Sequence, residues 1–178
     1  FPTPYLCRPF EHGVDIVVHA TTKYLDGHAM SLGGVIVDSG NFDWAASGRF
    51  PEFTQPDPSY HGLVYVETFG RAAYIVKARA QLMRDLGAQA APMNAFLLGI
   101  GIETLPLRME RHCSNAQTIA EWLANHPKVE WVRYPGLKGD KYHALARKYL
   151  PRGASGVISF GVKGTRDDAM KLMDHLKL

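Results

Sequence analysis

The hydrophobic pattern near the start of the chain predicts two strands joined by a polar loop. A short apolar, β-branched run, Val14–His19, follows Gly13, and a second run, Leu32–Asp38, lies beyond the polar stretch Thr21–His28. Continuous apolarity, rather than alternation, is typical of strands buried on both faces, as in an α/β sheet. We therefore expect two neighbouring buried strands that hold the loop between them rigidly.

The middle of the chain predicts a long irregular excursion followed by helices. Ser39–Tyr60 is rich in Gly, Pro, Ser and Asp, and its aromatic residues indicate that it packs against something. Arg71–Asp85 predicts a helix that ends at Gly87, a suitable C-terminal cap. A helical stretch follows Pro92, and apolar positions between Met109 and Leu123 recur every three or four residues. That spacing indicates a helix with one buried face, which we interpret as structural.

Strands and helices alternate in the last third of the chain. Val129–Tyr134 predicts a strand, Lys141–Leu150 a helix and Gly156–Val162 a strand. Thr165–Asp168 resembles a capping box that opens a last helix, Ala169–Leu178. This order predicts a smaller second α/β unit from about residue 125 onward.

Composition narrows the class of protein. The chain is 46% hydrophobic and 21% charged, as soluble globular proteins are, and its net charge of +3 does not indicate a nucleic-acid or membrane partner. No stretch approaches the roughly 18 consecutive apolar residues of a membrane helix, and no signal peptide is visible. Cys7 and Cys113 are interpreted as free thiols of a reducing compartment, the cytoplasm. The chain has no initiating Met and stops at Leu178 inside a helical pattern, so we expect both ends to be cut from a longer sequence.

Most motifs of catalytic chemistry are missing from the sequence. It has no nucleotide-type phosphate loop and no nucleophile elbow, and Gly99 and Gly101, which lack a third glycine and lie in a helical stretch, are interpreted as packing residues. The eight histidines have no zinc-like spacing. Because His112 and Cys113 are neighbours on a helix, they face different directions. We therefore predict no metal site.

Lys23 is the strongest candidate for chemistry that remains. A lone lysine is normally a solvated charge, but Lys23 directly follows a predicted buried strand and comes after Thr21 and Thr22. A lysine in a partly desolvated pocket acts as a Schiff-base nucleophile, and threonine hydroxyls donate hydrogen bonds to phosphate oxygens. Chemistry of this kind is what pyridoxal phosphate (PLP) requires, although these residues alone only suggest it.

The segment Asp15–His28 resembles the cofactor-lysine segment of the Cys/Met-metabolism family of PLP-dependent enzymes. The resemblance covers essentially the whole chain and continues through Ser31–Gly40, Phe53–Gly62, Asn94–Leu98, Glu103–Leu105, Arg108–His112, Val129–Leu137 and Gly156–Gly164. The long excursion and its Pro-Asp-Pro-Ser-Tyr-His-Gly run are similar to the O-acetylhomoserine sulfhydrylase branch of that family.

The resemblance implies a fold and a cofactor site. The fold is α/β: residues 1–124 correspond to the later part of the large, aspartate-aminotransferase-like domain of fold type I with its long connecting helix, and residues 125–178 to the beginning of the small C-terminal domain. Lys23 matches the lysine that binds PLP as an aldimine, and Thr22 matches a ligand of its phosphate. Ala20 stands where the family usually has serine, so one phosphate donor is missing unless Thr21 or a water molecule compensates.

The resemblance also implies a reaction. It is a γ-replacement that converts O-acetyl-L-homoserine and sulfide into L-homocysteine and acetate, in methionine biosynthesis, by a cytoplasmic homotetramer with no nucleic-acid or membrane partner. A cystathionine γ-synthase, a γ-lyase or a methionine γ-lyase of the same family is the alternative enzyme. The non-enzymatic alternative is an inert fragment, or one half of a split assembly, because the family's other cofactor-binding and carboxylate-binding groups lie outside the segment that this chain resembles.

Overall fold

The computed structural model describes residues 2–177, which divide into two compact units. One unit is Pro9–Gly101, and the other combines residues 2–8 with residues 102–177. The strands are β1 (Ile16–Ala20), β2 (Gly34–Asp38), β3 (Val129–Arg133) and β4 (Ser159–Val162). The helices are α1 (Thr3–Leu6), α2 (Trp44–Ser47), α3 (Pro51–Thr54), α4 (Tyr65–Phe69), α5 (Ala73–Lys77), α6 (Arg84–Leu86), α7 (Pro92–Glu103), α8 (Leu105–Ala124), α9 (His143–Tyr149) and α10 (Arg166–Asp174).

The domain division implied by the resemblance, between residues 124 and 125, stays a prediction. Phe1, where the first predicted domain begins, and Leu178, where the last predicted helix ends, lie outside the described residues.

β1 and β2 form the two-stranded antiparallel sheet that carries the loop of interest. Val18 lies opposite Ile36 in the register, and the strand–loop–strand prediction is confirmed. The expectation that both strands are buried is wrong for the described residues, because Val18 is 71% exposed and Ile36 is 45% exposed. A pair of strands makes a narrow sheet, and no described residue covers these two side chains fully.

The excursion after β2 folds into an aromatic cluster. It contains the short helices α2 and α3, and the Asp43 carboxylate caps α2 by accepting a hydrogen bond from the Ala46 N–H at 2.8 Å. The Trp44 ring stacks on the rings of Phe53 and Tyr74, with centroids 4.4 and 5.5 Å away. These contacts confirm that the excursion packs against the helical segment that follows it.

That helical segment is continuous but changes its winding. A 3₁₀ turn (Gly70–Ala72) leads into α5, a π-helix (Ala78–Met83) follows, and α6 ends at Gly87, whose φ of 71° makes the predicted glycine cap. The helix predicted over Arg71–Asp85 is therefore confirmed, whereas the π-helix was not predicted.

Lys77 of α5 is buried against the excursion. Its Nζ lies 2.8 Å from Oδ2 of Asp57 and 4.3 Å from the centre of the Tyr65 ring. The hydrogen bond from Lys77, together with one from Ser59, lowers the pKa of the Asp57 carboxyl to about 2. The ion pair thus joins α5 to the excursion below the protein surface.

The other unit is built on α8. Its buried face follows the predicted spacing and consists of Leu105, Met109, Cys113, Ala116, Ala120 and Leu123. Ile119, which the three- and four-residue spacing between Met109 and Leu123 also places in the predicted stripe, lies at its edge and is 49% exposed. Burial raises the pKa of the Cys113 thiol, which favours its neutral form. The prediction that this stripe of α8 is buried is therefore confirmed.

β3 and β4 form a second antiparallel sheet beside α8. The buried Tyr134 follows β3, and its hydroxyl donates to the Ser155 carbonyl at 3.0 Å. The capping box of Thr165 and Asp168 opens α10 as predicted. Within residues 2–177, no helix has both the length and the apolarity needed to cross a membrane.

Candidate active site

Lys23 lies in a turn that connects β1 to β2. The Asp26 N–H donates to the Thr21 carbonyl at 2.9 Å, and the Gly27 N–H donates to the Lys23 carbonyl at 2.8 Å. Gly27 has a φ of 74°, a left-handed conformation that glycine adopts without a Cβ clash. The Lys23 side chain itself is exposed, so the described residues do not form the partly desolvated pocket expected from the sequence. Two backbone hydrogen bonds thus close the turn around Lys23, which is itself exposed among the described residues.

The two threonines before Lys23 have different surroundings. Thr21 is only 3% exposed, and its N–H donates to the Gly33 carbonyl at 2.9 Å. A Cβ on Gly33 would lie 2.7 Å from Thr21 Oγ1, so glycine is needed for the close approach of the loop to the start of β2. Thr22 is half-buried. Thr21 therefore lies inside the loop, and Thr22 lies nearer its surface.

The Thr22 hydroxyl retains a donor that a ligand could use. Oγ1 accepts a hydrogen bond from the Gly33 N–H at 3.1 Å, and its distance to the Gly33 carbonyl is 3.4 Å, long for an O–H···O bond. A hydroxyl accepts and donates at the same time, so its proton is only weakly held by Gly33. Ala20, the last residue of β1, supplies no such donor.

Asp26 stabilises the turn through its buried side chain. Its side chain is fully buried, and Oδ2 accepts a hydrogen bond from the Met30 N–H at 2.9 Å. The other oxygen, Oδ1, has no hydrogen-bond partner among residues 2–177. Sequence reasoning missed this residue, because a single carboxylate in a polar loop carries no periodic sign of burial.

Gly101 of α7 packs directly on the same turn. A Cβ at this position would lie 2.2 Å from the Asp26 carbonyl oxygen and 2.8 Å from that of Leu25. The interpretation of Gly101 as a packing residue is therefore confirmed. The same interpretation is wrong for Gly99, two residues earlier on α7, because no atom would lie within 4 Å of a Cβ added there.

Two further observations concern titratable groups near the site and elsewhere. His19 on β1 is half-buried, and this burial lowers its pKa, which favours the neutral imidazole at pH 7. In the part of the chain that the structure describes, no group of three or more His, Cys, Asp or Glu side chains could hold a metal ion.

Comparison with known families decides what kind of protein carries this loop. Residues 1–178 match the family described as "Cys/Met metabolism PLP-dependent enzyme". The chain belongs to this family. The resemblance drawn from the Lys23 segment is thereby confirmed for the whole sequence.

Curated relatives are similar over nearly the entire chain. It is 54% identical over 175 residues to the homocysteine synthase of Schizosaccharomyces pombe. The alignment covers 98% of this chain and 41% of that relative. It is 52% identical over 186 residues to the O-acetyl-L-homoserine sulfhydrylase of Leptospira meyeri. The alignment covers 99% of this chain and 42% of that relative. The chain therefore spans about two fifths of the length of these relatives.

A solved structure shows the same fold. The crystal structure of a Campylobacter jejuni protein described as an O-acetylhomoserine (thiol)-lyase superposes with a TM-score of 0.93 at 39% identity. The match covers 99% of this chain and 44% of that protein, whose structure contains N'-pyridoxyl-lysine-5'-monophosphate. The predicted fold class, an α/β fold of the PLP-dependent type, is confirmed.

Proposed function

We propose that the protein containing this chain makes L-homocysteine from O-acetyl-L-homoserine and sulfide, with PLP held by Lys23. The observation that carries the proposal is the 54% identity, over 98% of the chain, to a homocysteine synthase. In the reaction, the C–O bond at Cγ of the substrate breaks, acetate leaves, and sulfide forms a C–S bond at the same carbon.

The described loop fits the two ends of PLP. The cofactor has an aldehyde and a phosphate, and the loop offers an exposed primary amine, Lys23, beside a hydroxyl with a weakly engaged proton, Thr22. We assign Lys23 to the covalent bond with PLP and Thr22 to the phosphate. Thr21 is the second candidate phosphate ligand. Because Thr21 is buried, we prefer the more accessible Thr22 as the ligand.

Each residue then has a distinct task in the reaction. PLP, when bound, supplies an electron sink for negative charge that develops at the substrate Cα. Lys23 Nζ accepts the Cα proton and later returns a proton to the substrate, so that one amine acts as base and as acid. The Thr22 hydroxyl, anchored by the Gly33 N–H, holds the phosphate. The fixed turn keeps the backbone of Lys23 in place while its flexible side chain moves the proton.

We also propose a cytoplasmic homotetramer. The family resemblance supports the tetramer. Two free cysteines, Cys7 and Cys113, which form no disulfide, support a reducing compartment such as the cytoplasm. Light scattering on the purified protein measures the number of subunits, and a monomer would contradict this part of the proposal.

An activity assay tests the proposed reaction. The purified protein, supplied with PLP, O-acetyl-L-homoserine and sulfide, is expected to release homocysteine and acetate in equal amounts. Lys23→Ala is expected to abolish the reaction, whereas Lys128→Ala, which removes another exposed lysine, is expected to leave it unchanged. Turnover of methionine or cystathionine without homocysteine formation from the acetyl ester would instead favour a γ-lyase of the same family. No turnover of any of these substrates would favour an inert fragment.

A further inference from the structure

Gly101 touches the two peptide groups that close the Lys23 turn. A Cβ on Gly101 would lie nearest to the oxygen of the peptide that joins Asp26 to Gly27, and next nearest to the oxygen of the peptide that joins Leu25 to Asp26. The N–H groups of these same peptides donate to the carbonyls of Lys23 and Thr21, at 2.8 and 2.9 Å. Each of these two carbonyl oxygens therefore belongs to the same planar peptide group as an N–H that closes the turn around Lys23.

We propose that Gly101 is a positioning residue for Lys23, an inference that rests on the proposed function of Lys23. Because Gly101 has no side chain, α7 packs directly on the Leu25 and Asp26 carbonyls and holds the turn in one arrangement. The buried Asp26 carboxylate, bound to the Met30 N–H, fixes the same turn from its other end. Lys23 is exposed in the part of the chain that the structure describes, so within that part its placement is set by the backbone of the turn.

A single methyl group disturbs this arrangement. In Gly101→Ala, the new Cβ would lie 2.2 Å from the Asp26 oxygen, and ordinary contacts at such a position are longer than 3.0 Å. Neither the carbonyl nor the helix backbone is a flexible side chain that can turn aside, so the turn must shift by roughly 1 Å, a displacement that lowers the rate of a positioned reaction by up to about a hundredfold. Gly99→Ala is the matched control, because it adds the same methyl group to the same helix where nothing lies within 4 Å.

The test measures covalent capture of PLP by the cofactor-free protein. Visible absorbance gives the rate constant at saturating PLP and the PLP concentration at half-saturation, and borohydride reduction followed by peptide mass analysis identifies the labelled lysine. In Gly101→Ala, we expect the rate constant at Lys23 to fall about ten- to hundredfold, with a much smaller change in half-saturation. Gly99→Ala is expected to match the wild type. Hydrogen exchange is expected to quicken in Gly101→Ala at the Asp26 and Gly27 amides and to stay unchanged in α8.

The possible results separate this inference from the proposed function. If PLP labels a lysine other than Lys23 in the wild type, the assignment of Lys23 fails, and the inference fails with it. If the wild type is labelled at Lys23 and Gly101→Ala reacts as fast as Gly99→Ala, only the positioning role is overturned. Loss of amide protection throughout α8 in Gly101→Ala would also overturn it, because Gly101 would then be needed for the fold as a whole.

Discussion

Thr22→Val is expected to weaken PLP binding markedly while leaving the loop folded. Valine has the shape of threonine without its hydroxyl, so the variant removes the proposed phosphate donor. Ala20 offers no replacement hydroxyl next to the loop, which makes Thr22 the main side-chain donor among the three residues before Lys23. A hydrogen bond to a charged group contributes about 1.5–3 kcal/mol, which corresponds to roughly a ten- to hundredfold loss of cofactor affinity.

The structure explains why the same variant should have little effect on folding. Thr22 Oγ1 accepts the Gly33 N–H at 3.1 Å, but Gly33 is exposed, so water can replace the lost acceptor. The thermal unfolding midpoint without PLP is therefore expected to stay close to that of the wild type. Thr22→Ser keeps the hydroxyl and is expected to restore most of the affinity.

Fluorescence titration with PLP compares four variants with the wild type. Thr22→Val is expected to bind weakly, Thr22→Ser nearly normally, and Ala20→Ser more tightly if its new hydroxyl reaches the phosphate. Thr21→Val tests the buried neighbour, which is expected to affect loop stability more than PLP affinity. If Thr21→Val weakens PLP binding and Thr22→Val does not, the assignment of Thr22 as the phosphate ligand is refuted.

Three further predictions concern the fold around the site and in the other unit. Lys77, together with Ser59, lowers the pKa of Asp57 to about 2, below the ordinary value of 3.8, so ionised Asp57 stabilises the fold above about pH 4 and this contribution is lost as the pH falls toward 2. Urea unfolding between pH 2 and 7 should show the loss, and Lys77→Met should reduce this pH dependence to the part that Ser59 contributes. Tyr134→Phe should lower the free energy of unfolding by about 1 kcal/mol, because the buried Ser155 carbonyl loses its donor; an unchanged urea midpoint would contradict this. Thr165→Ala should lower that free energy by about 1 kcal/mol by removing the capping box of α10, as circular dichroism during thermal unfolding can measure, and Thr165→Ser should not.

Local sequence signals predicted most of the elements correctly. The spacing of Met109, Cys113 and Leu123 predicted the buried face of α8, and the residue types of Thr165 and Asp168 predicted the start of α10. Such features depend on contacts between residues close in sequence, so a local pattern is enough to specify them.

Features that depend on distant residues could not be predicted. The continuous apolarity of Val14–His19 shows that a strand suits burial, but it does not specify which elements cover it, and the described residues leave Val18 largely exposed. The π-helix beside Lys77 accompanies an ion pair across 20 positions of sequence, which no periodicity reveals.

The candidate site also contains residues that the sequence identifies and residues whose role depends on distant contacts. Lys23 and Thr22 were found from their residue types and from the family resemblance, and their roles stay predictions. Asp26, and the fact that Gly101 packs on the Lys23 turn, came only from the structure, because α7 returns to the turn some 75 positions after Asp26. A sequence motif identifies the reactive group, whereas its support is assembled by tertiary packing.

The central claim is that Lys23 is the residue that binds PLP covalently. The most direct test is to load the purified protein with PLP, reduce it with borohydride, and map the pyridoxyl group by peptide mass spectrometry. The account predicts a visible absorption band that disappears on reduction and a pyridoxyl group on Lys23. A label on another lysine, or no covalent label at saturating PLP, would contradict it.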